Sequence, residues 1–81
     1  MIQIRFFASL RERLGLSSMN FEYSGEKTVN ELMIELIDKG DRWLLLKEQD
    51  VLIAVNQTLC AKDANINDGD EIAFFPPVTG G

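Results

Sequence analysis

Apolar and polar residues alternate over residues 2–8, and this alternation predicts a β-strand. The apolar positions of one face are Ile2, Ile4 and Phe6. Gln3 and Arg5 occupy the opposite face, which Phe7 interrupts as an apolar exception. Because successive side chains of a strand point to opposite faces, Phe7 is expected on the side away from the core.

Two segments have the periodicity of helices. The first is short, with Ser9 as its expected N-cap and Gly15 as its expected end. The main helix begins at Thr28, which has Glu31 at the capping-box spacing, and it ends at Gly40. Its apolar stripe, at positions i, i+3, i+4, i+7 and i+8, consists of Val29, Leu32, Met33, Leu36 and Ile37. The stripe predicts a helix that covers a core.

Further extended segments are predicted over residues 19–23, 51–55, 58–60 and 71–75. A less regular helical turn that contains Trp43 is expected over residues 41–48. The resulting order is ββαβ(β)β, with one amphipathic helix available to cover one face of a sheet. This order predicts an α+β roll.

The composition limits what the domain can do by itself. The chain has 81 residues, a formal net charge of −5, no histidine and a single cysteine, Cys60. This length corresponds to one domain. Without histidine the chain lacks the usual general base near neutral pH, and one cysteine can form neither an internal disulfide nor a thiolate zinc cluster. No metal site is expected, and the sequence favours a component of a reaction over a self-contained enzyme.

The charge distribution and the apolar runs also argue against two classes of partner. A nucleic-acid-binding domain of this size has a basic stripe, which this acidic sequence lacks. The apolar run over residues 43–46 is far shorter than the roughly 20 residues of a membrane span. The first residues do not have the pattern of a signal peptide. We therefore expect a cytoplasmic protein that binds neither nucleic acid nor membranes.

The C-terminal segment is the most informative part of the sequence. Two consecutive prolines follow the last predicted strand and favour a stiff, extended exit from the domain. Gly80 and Gly81 have no side chains, so they can enter a channel that a Cβ atom would obstruct. We expect a folded domain over residues 1–75 and a flexible tail over residues 76–81 that acts outside its own fold. The alternative is an ordinary frayed terminus.

Phe7 and Phe75 form the second informative feature. Ile72 and Phe74 define the core face of the last predicted strand, so Phe75 is expected on the opposite face, as Phe7 is. Exposed aromatic residues are common anchors of interfaces. A partner surface is one explanation for them, and coverage by the short helix or a loop is the other. Cys60 is expected to pack as a small apolar residue.

Four motifs resemble those of one known family. They are Ile-Arg-Phe-Phe-Ala-Ser-Leu-Arg-Glu at residues 4–12, Val-Asn-Gln-Thr-Leu at residues 55–59, Asp-Gly-Asp-Glu-Ile-Ala-Phe-Phe-Pro-Pro-Val at residues 68–78, and the terminal Gly-Gly. The chain resembles the small subunits of molybdopterin synthase, which are ubiquitin-like β-grasp sulfur carriers. The resemblance covers essentially the whole sequence. It implies a mixed sheet of about five strands covered by one main helix, with short extra helices and an extended C-terminal tail.

The resemblance also implies a mechanism. The Gly81 carboxylate would be adenylated with ATP on a separate ubiquitin-activating-like adenylyltransferase, and sulfur would replace the adenylate to give a thiocarboxylate (1-thioglycine). The thiocarboxylate would donate its sulfur to a cyclic pyranopterin precursor, which becomes the dithiolene of molybdopterin. The large synthase subunit would supply the catalytic groups in a heterotetramer of two small and two large subunits. The small subunit itself would bind no cofactor and would be a non-catalytic sulfur donor.

The strand pattern and the resemblance together give two sets of expected site residues. The tail residues that would enter the large subunit with Gly81 are Val78, Thr79 and Gly80. The residues that would form a partner-binding surface are Phe7, Leu59, Phe75 and Pro76. Two other functions stay open at this point: a sulfur carrier for thiamine or tRNA thiolation, and a ubiquitin-like modifier joined to other proteins through Gly81.

Overall fold

The structure is a computed structural model that describes residues 1–25, 28–47 and 51–77. Its elements in chain order are β1 (Ile2–Phe6), α1 (Ala8–Leu14), β2 (Ser18–Phe21), α2 (Val29–Ile37), a 3₁₀ helix (Asp41–Lys47), β3 (Leu52–Val55), β4 (Thr58–Cys60) and β5 (Glu71–Phe75). The predicted order of strands and helices is confirmed, with ends that differ by a few residues. The predicted tail residues 78–81 lie outside the described residues.

The five strands form one mixed sheet in the order β2-β1-β5-β3-β4. β1 pairs antiparallel with β2 and parallel with β5, and β3 pairs antiparallel with both β4 and β5. The first and last strands of the chain therefore lie side by side in the middle of the sheet. This arrangement confirms the expected α+β class and the ubiquitin-like β-grasp fold.

The core lies between one face of this sheet and α2. The central strands each contribute every second residue to it, as period-2 alternation requires. Phe6 and Phe74, which are paired in the register, stack with their ring centroids 5.8 Å apart. The buried residues of α2 are Val29, Leu32, Met33 and Leu36. The apolar stripe read from the sequence is thus the core face of the helix, while Ile37 is half-buried at its edge.

The start of α2 follows the predicted capping box. The Thr28 hydroxyl accepts a hydrogen bond from the backbone N–H of Glu31 at 3.3 Å, and the same hydroxyl donates to the Glu31 carboxylate. Such a cap satisfies a backbone donor that the first turn of a helix leaves without a partner. The helix ends at Ile37, and Gly40, where the sequence predicted the end, has a φ of 77° just before the 3₁₀ helix.

The start of α1 corrects the sequence prediction. Phe7, and not Ser9, is the N-cap residue of α1, and its side chain makes no capping hydrogen bond. The reason is that the backbone of Phe7 continues the pairing of β1 with β5: its N–H donates to the Phe74 carbonyl at 3.1 Å. The helix then begins at the next residue, so Ser9 already lies inside it. The predicted end at Gly15 is confirmed by its left-handed φ of 78°.

The predicted helical turn around Trp43 is a 3₁₀ helix, and Glu48 at its expected end lies outside the described residues. The half-buried Trp43 ring meets Phe6 edge-on, with centroids 5.9 Å apart at 64°. The Lys39 ammonium group lies 5.7 Å from the centre of the same ring. Trp43 therefore closes one end of the core. No helix in the described ranges combines the length and apolar character needed to cross a membrane.

The turn between β3 and β4 is a two-residue loop, Asn56-Gln57, in which both residues have positive φ, 50° and 71°. Asn56 ties this turn to the start of β5. Its amide group donates to the Asp70 carboxylate at 3.1 Å and accepts from the Glu71 N–H at 3.0 Å. Gln57 has the same unfavourable sign of φ, and no hydrogen bond of its side chain is described.

Replacing Gln57 by glycine is expected to stabilise the fold by about 0.5–1 kcal/mol. Glycine removes the steric cost of a positive φ, and part of that gain is offset by its greater freedom in the unfolded chain. Urea denaturation checks this as a higher midpoint. Asn56→Gly is the matched control, because it also removes the steric cost of a positive φ but loses the two hydrogen bonds of the Asn56 side chain. A Gln57→Gly midpoint at or below wild type would contradict the prediction.

Candidate functional site

The sheet face that points away from α2, here called the outer face, contains the candidate binding surface. Because paired residues share a face, the register assigns its members. In the row nearest the chain exit, Phe75 of β5 lies opposite Leu52 of β3. In the next row, Ala73 of β5 lies opposite Ala54 of β3, which lies opposite Leu59 of β4. One half of the outer face is therefore apolar.

Phe7 completes this surface beside Phe75. The two rings meet edge-on, with centroids 6.2 Å apart at 79°. Phe7 is 41% exposed and Phe75 is half-buried. The short helix α1 thus leaves Phe7 partly open to solvent, and a partner surface at Phe7 and Phe75 stays a prediction. We call the set Phe7, Leu52, Ala54, Leu59, Ala73 and Phe75 the outer-face patch.

Leu59 is the most exposed member of the patch, at 66%. It belongs to the row of Ala54 and Ala73, so it lies one row away from the aromatic pair. Ala54 is only 6% exposed although it is not part of the main core. Ala54 therefore adds little exposed surface to the patch, and Leu59 and Phe7 are its most exposed large side chains.

Leu52, Ala54 and Ala73 are the patch members that sequence reasoning missed. Residues 51–55 form a continuous apolar run, so alternation could not say which of them face the core. For Ala73 the alternation did indicate the outer face, since this residue lies between the two core residues of β5. Its small side chain gave no reason to assign it to a binding surface. The structure assigns all of them through the register with β5.

The other half of the outer face is polar. The Arg5 Nε atom lies 3.9 Å from the Glu71 carboxylate, and both residues precede the aromatic pair on their strands. Arg5 and Arg11 also line a shallow pocket of about 200 Å³ beside Phe7, together with Ser17 and Ser18. Although the chain as a whole is acidic, the edge of the patch at Phe7 is basic.

The exit of the chain adjoins the patch. β1 and β5 are parallel, so their carboxyl ends meet at the same edge of the sheet. Pro76, the first residue after β5, is half-buried, and Pro77 is exposed. The predicted tail residues Val78, Thr79, Gly80 and Gly81 lie outside the described residues. Covalent geometry limits six residues beyond Phe75 to a reach of about 20 Å, so a protein that covers the patch lies within reach of Gly81.

Cys60 does not belong to this surface. It is half-buried on the core face of β4, opposite Ile53. Desolvation raises the pKa of its thiol, and the nearby Asp63 carboxylate raises it further, against the opposing effect of a hydrogen bond from the backbone at Val55. A raised pKa lowers the thiolate fraction at neutral pH, and the thiolate is the reactive form. In the part of the chain that the structure describes, no three His, Cys, Asp or Glu residues are grouped to hold a metal ion.

Two adjacent phenylalanines allow the division between core and outer face to be tested. Phe74 is fully buried and stacked on Phe6, whereas Phe75 belongs to the patch. Phe74→Ala should lower the free energy of unfolding by roughly 3–5 kcal/mol, and Phe75→Ala by about 1 kcal/mol or less. Urea denaturation of the two variants measures the difference. Equal losses would mean that Phe75 is a core residue.

A family model, curated relatives and solved structures are similar to this chain. A family model described as the ThiS family matches residues 4–81. Molybdopterin synthase sulfur carrier subunits from Haemophilus influenzae and Escherichia coli are 43% and 45% identical to this chain, and each alignment covers all of both proteins. A structure of the complex of subunits 1 and 2 of molybdopterin-converting factor from Helicobacter pylori contains a chain with a TM-score of 0.68 and 26% identity, which covers 99% of this chain and 97% of that one.

Proposed function

This chain belongs to the ThiS family, and from that membership we propose that it is the sulfur carrier subunit of molybdopterin synthase. The observation that carries the proposal is its similarity to the two bacterial carrier subunits over the full length of both proteins. The family match extends to Gly81, so it includes the two terminal glycines. The outer-face patch beside the chain exit supports the proposal, because a carrier must present its last residue to the proteins that load and unload it.

Gly81 is the residue that carries the sulfur. A free carboxylate is a poor electrophile, so its oxygen first attacks the α-phosphorus of ATP on a separate adenylyltransferase, and pyrophosphate leaves. A sulfur nucleophile at the oxidation level of sulfide then attacks the acyl-adenylate carbon, AMP leaves with the bonding electron pair, and the remaining proton on sulfur is lost to solvent. The product is a thiocarboxylate at Gly81. ATP is a substrate of the activating enzyme in this scheme, and this chain holds no cofactor of its own.

The thiocarboxylate sulfur is the nucleophile of the second half of the reaction. It attacks a side-chain carbon of a cyclic pyranopterin precursor and forms a C–S bond, and the oxygen substituent of that carbon leaves with the bonding electron pair. Water then cleaves the bond between sulfur and Gly81, which returns the carboxylate and leaves the sulfur on the pterin. Two such transfers complete the dithiolene. The groups that hold the pterin and move protons belong to the large subunit in this proposal, because this chain has no histidine and its one thiol is half-buried.

The outer-face patch is the proposed docking surface for both partners. Phe7 and Phe75 act as aromatic anchors, with Leu59 at the far side and Pro76 at the start of the tail. The complex formed by the Helicobacter pylori relative supports a large-subunit partner. We propose two small and two large subunits in the synthase, located in the cytoplasm. Because one patch serves both partners, the adenylyltransferase and the large subunit bind in turn.

Phe75→Ala should weaken binding to the large subunit by roughly 2 kcal/mol, about a 30-fold rise in Kd, because it removes a central aromatic anchor. Isothermal titration calorimetry with the purified large subunit measures this. Leu44→Ala is the matched control, since Leu44 is 47% exposed and lies on the 3₁₀ helix. An unchanged Kd for folded Phe75→Ala would remove Phe75 from the proposed surface.

The two partners are expected to compete for the patch. Adding the adenylyltransferase to a preformed complex of the carrier with the large subunit should release carrier from that complex. The released fraction should follow from the Kd values of the two partners. Size-exclusion chromatography with fluorescently labelled carrier detects this. A stable ternary complex of one carrier with both proteins would show that they use different surfaces.

Removing Gly81, or extending the chain past it with a tag, should abolish sulfur transfer and leave docking on the large subunit nearly intact. The chemistry needs a free carboxylate at this position, whereas docking relies on the patch. Gly80→Val should impair both loading and transfer, because the valine side chain would obstruct the narrow channel of the partner that receives the tail. Transfer is measured as conversion of the pterin precursor by a synthase reconstituted with chemically thiocarboxylated carrier. Loading is measured as the mass of the intact carrier after incubation with the adenylyltransferase, ATP and a sulfur source.

Three results would separate the proposal from its alternatives. Full activity without Gly81 would rule out the sulfur-carrier mechanism. A thiocarboxylated carrier that supports thiamine or tRNA thiolation, and leaves the pterin unchanged, would assign the protein to another pathway. Covalent attachment of Gly81 to lysines of cellular proteins, detected by mass spectrometry, would identify a modifier.

A further inference from the structure

Ala8 has a backbone conformation that is unusual for its residue type. Its φ is 52°, in the left-handed region that side-chain-bearing residues rarely adopt. The other described non-glycine residues with positive φ are Asp41, Asn56 and Gln57. The Asn56 side chain hydrogen-bonds to the Asp70 carboxylate and the Glu71 N–H, whereas the methyl group of Ala8 can form no hydrogen bond. The strain at Ala8 therefore needs a structural reason.

The reason lies in the connection between β1 and α1, which consists of Phe7 alone. The Phe7 N–H donates to the Phe74 carbonyl at 3.1 Å, so Phe7 still belongs to the parallel ladder. The Phe7 carbonyl accepts from the N–H groups of Leu10 and Arg11, at 3.1 and 3.4 Å, so it already belongs to the helix. Phe7 keeps an extended backbone, with φ −122° and ψ 154°. The reversal of the chain must therefore start at Ala8.

We propose that Ala8 is a positioning residue for the docking surface. Its positive φ turns the chain into α1 directly after Phe7, which leaves Phe7 extended and its ring on the outer face against Phe75. The inference rests on the proposed function only where it concerns partner binding. The position of the Phe7 ring can be tested in the isolated protein.

The neighbours of this junction leave little room for another arrangement. Phe6 on one side and Leu10 on the other are each 1% exposed, so the core holds both ends of the junction. If the residue at position 8 does not adopt a positive φ, the chain has to reverse its direction at Phe7 instead. The Phe7 backbone then rotates, and its ring moves away from Phe75. A β-branched residue resists this region most strongly.

The experiment compares Ala8→Gly and Ala8→Val, with Ala61→Val as the matched control at an exposed alanine without a positive φ. Two quantities are measured: nuclear Overhauser effects between the Phe7 and Phe75 rings in the isolated protein, and the Kd for the large subunit per folded molecule. Ala8→Gly should keep both. Ala8→Val should lose the ring contacts and raise the Kd by roughly fivefold or more, and Ala61→Val should change neither.

An Ala8→Val protein that is less stable but keeps both the ring contacts and the Kd would overturn the proposal, because Ala8 would then affect stability alone. If Ala8→Val does not fold, chemical synthesis with D-alanine at position 8 provides the test. D-alanine keeps the methyl group and prefers positive φ, so it should raise the Tm and retain the ring contacts, and a lower Tm would overturn the proposal. If wild-type carrier fails to bind any large subunit, the proposed function fails, while the ring contacts still decide the role of Ala8.

Discussion

The parallel pairing of β1 with β5 is the interaction on which the rest of this molecule depends. It joins the two ends of the chain in the middle of the sheet, stacks Phe6 on Phe74 inside the core and sets Phe7 against Phe75 outside it. Because the strands run in the same direction, the start of α1 and the exit of the chain lie at one edge of the sheet. The core, the patch and the exit are consequences of this one ladder.

In the proposed function, the two faces of the central strands separate stability from binding. Phe74 is fully buried, while its neighbour Phe75 lies on the outer face. A domain of this size buries a limited fraction of its surface, so each large apolar side chain on the outer face is one that does not add to the core. The patch nevertheless places several such side chains in contact with solvent. The net charge of −5 opposes self-association of the protein through these exposed residues.

The chemistry proposed for this chain needs no catalytic side chain, which agrees with its composition. In that scheme the reacting group is a backbone carboxylate, and the domain has to deliver it to two different proteins. A patch adjoining the exit suits this task, since a partner bound there lies within the roughly 20 Å that the last residues can span. Burial raises the pKa of the Cys60 thiol, which keeps the one side-chain sulfur nucleophile of the chain largely protonated.

The sequence by itself determined the elements whose signals are local. Alternation placed Ile2, Ile4 and Phe6 in the core, the Thr28–Glu31 spacing gave the start of α2, and four motifs indicated the family and its fold. Tertiary structure decided what depends on pairing between distant segments. Leu52 and Ala54 join the patch because of their register with β5, which a continuous apolar run cannot reveal. The start of α1 also depends on that sheet: the hydrogen bond from Phe7 to Phe74 keeps Phe7 extended and moves the helix start ahead of Ser9, because a contact across more than sixty residues outweighs a local capping preference.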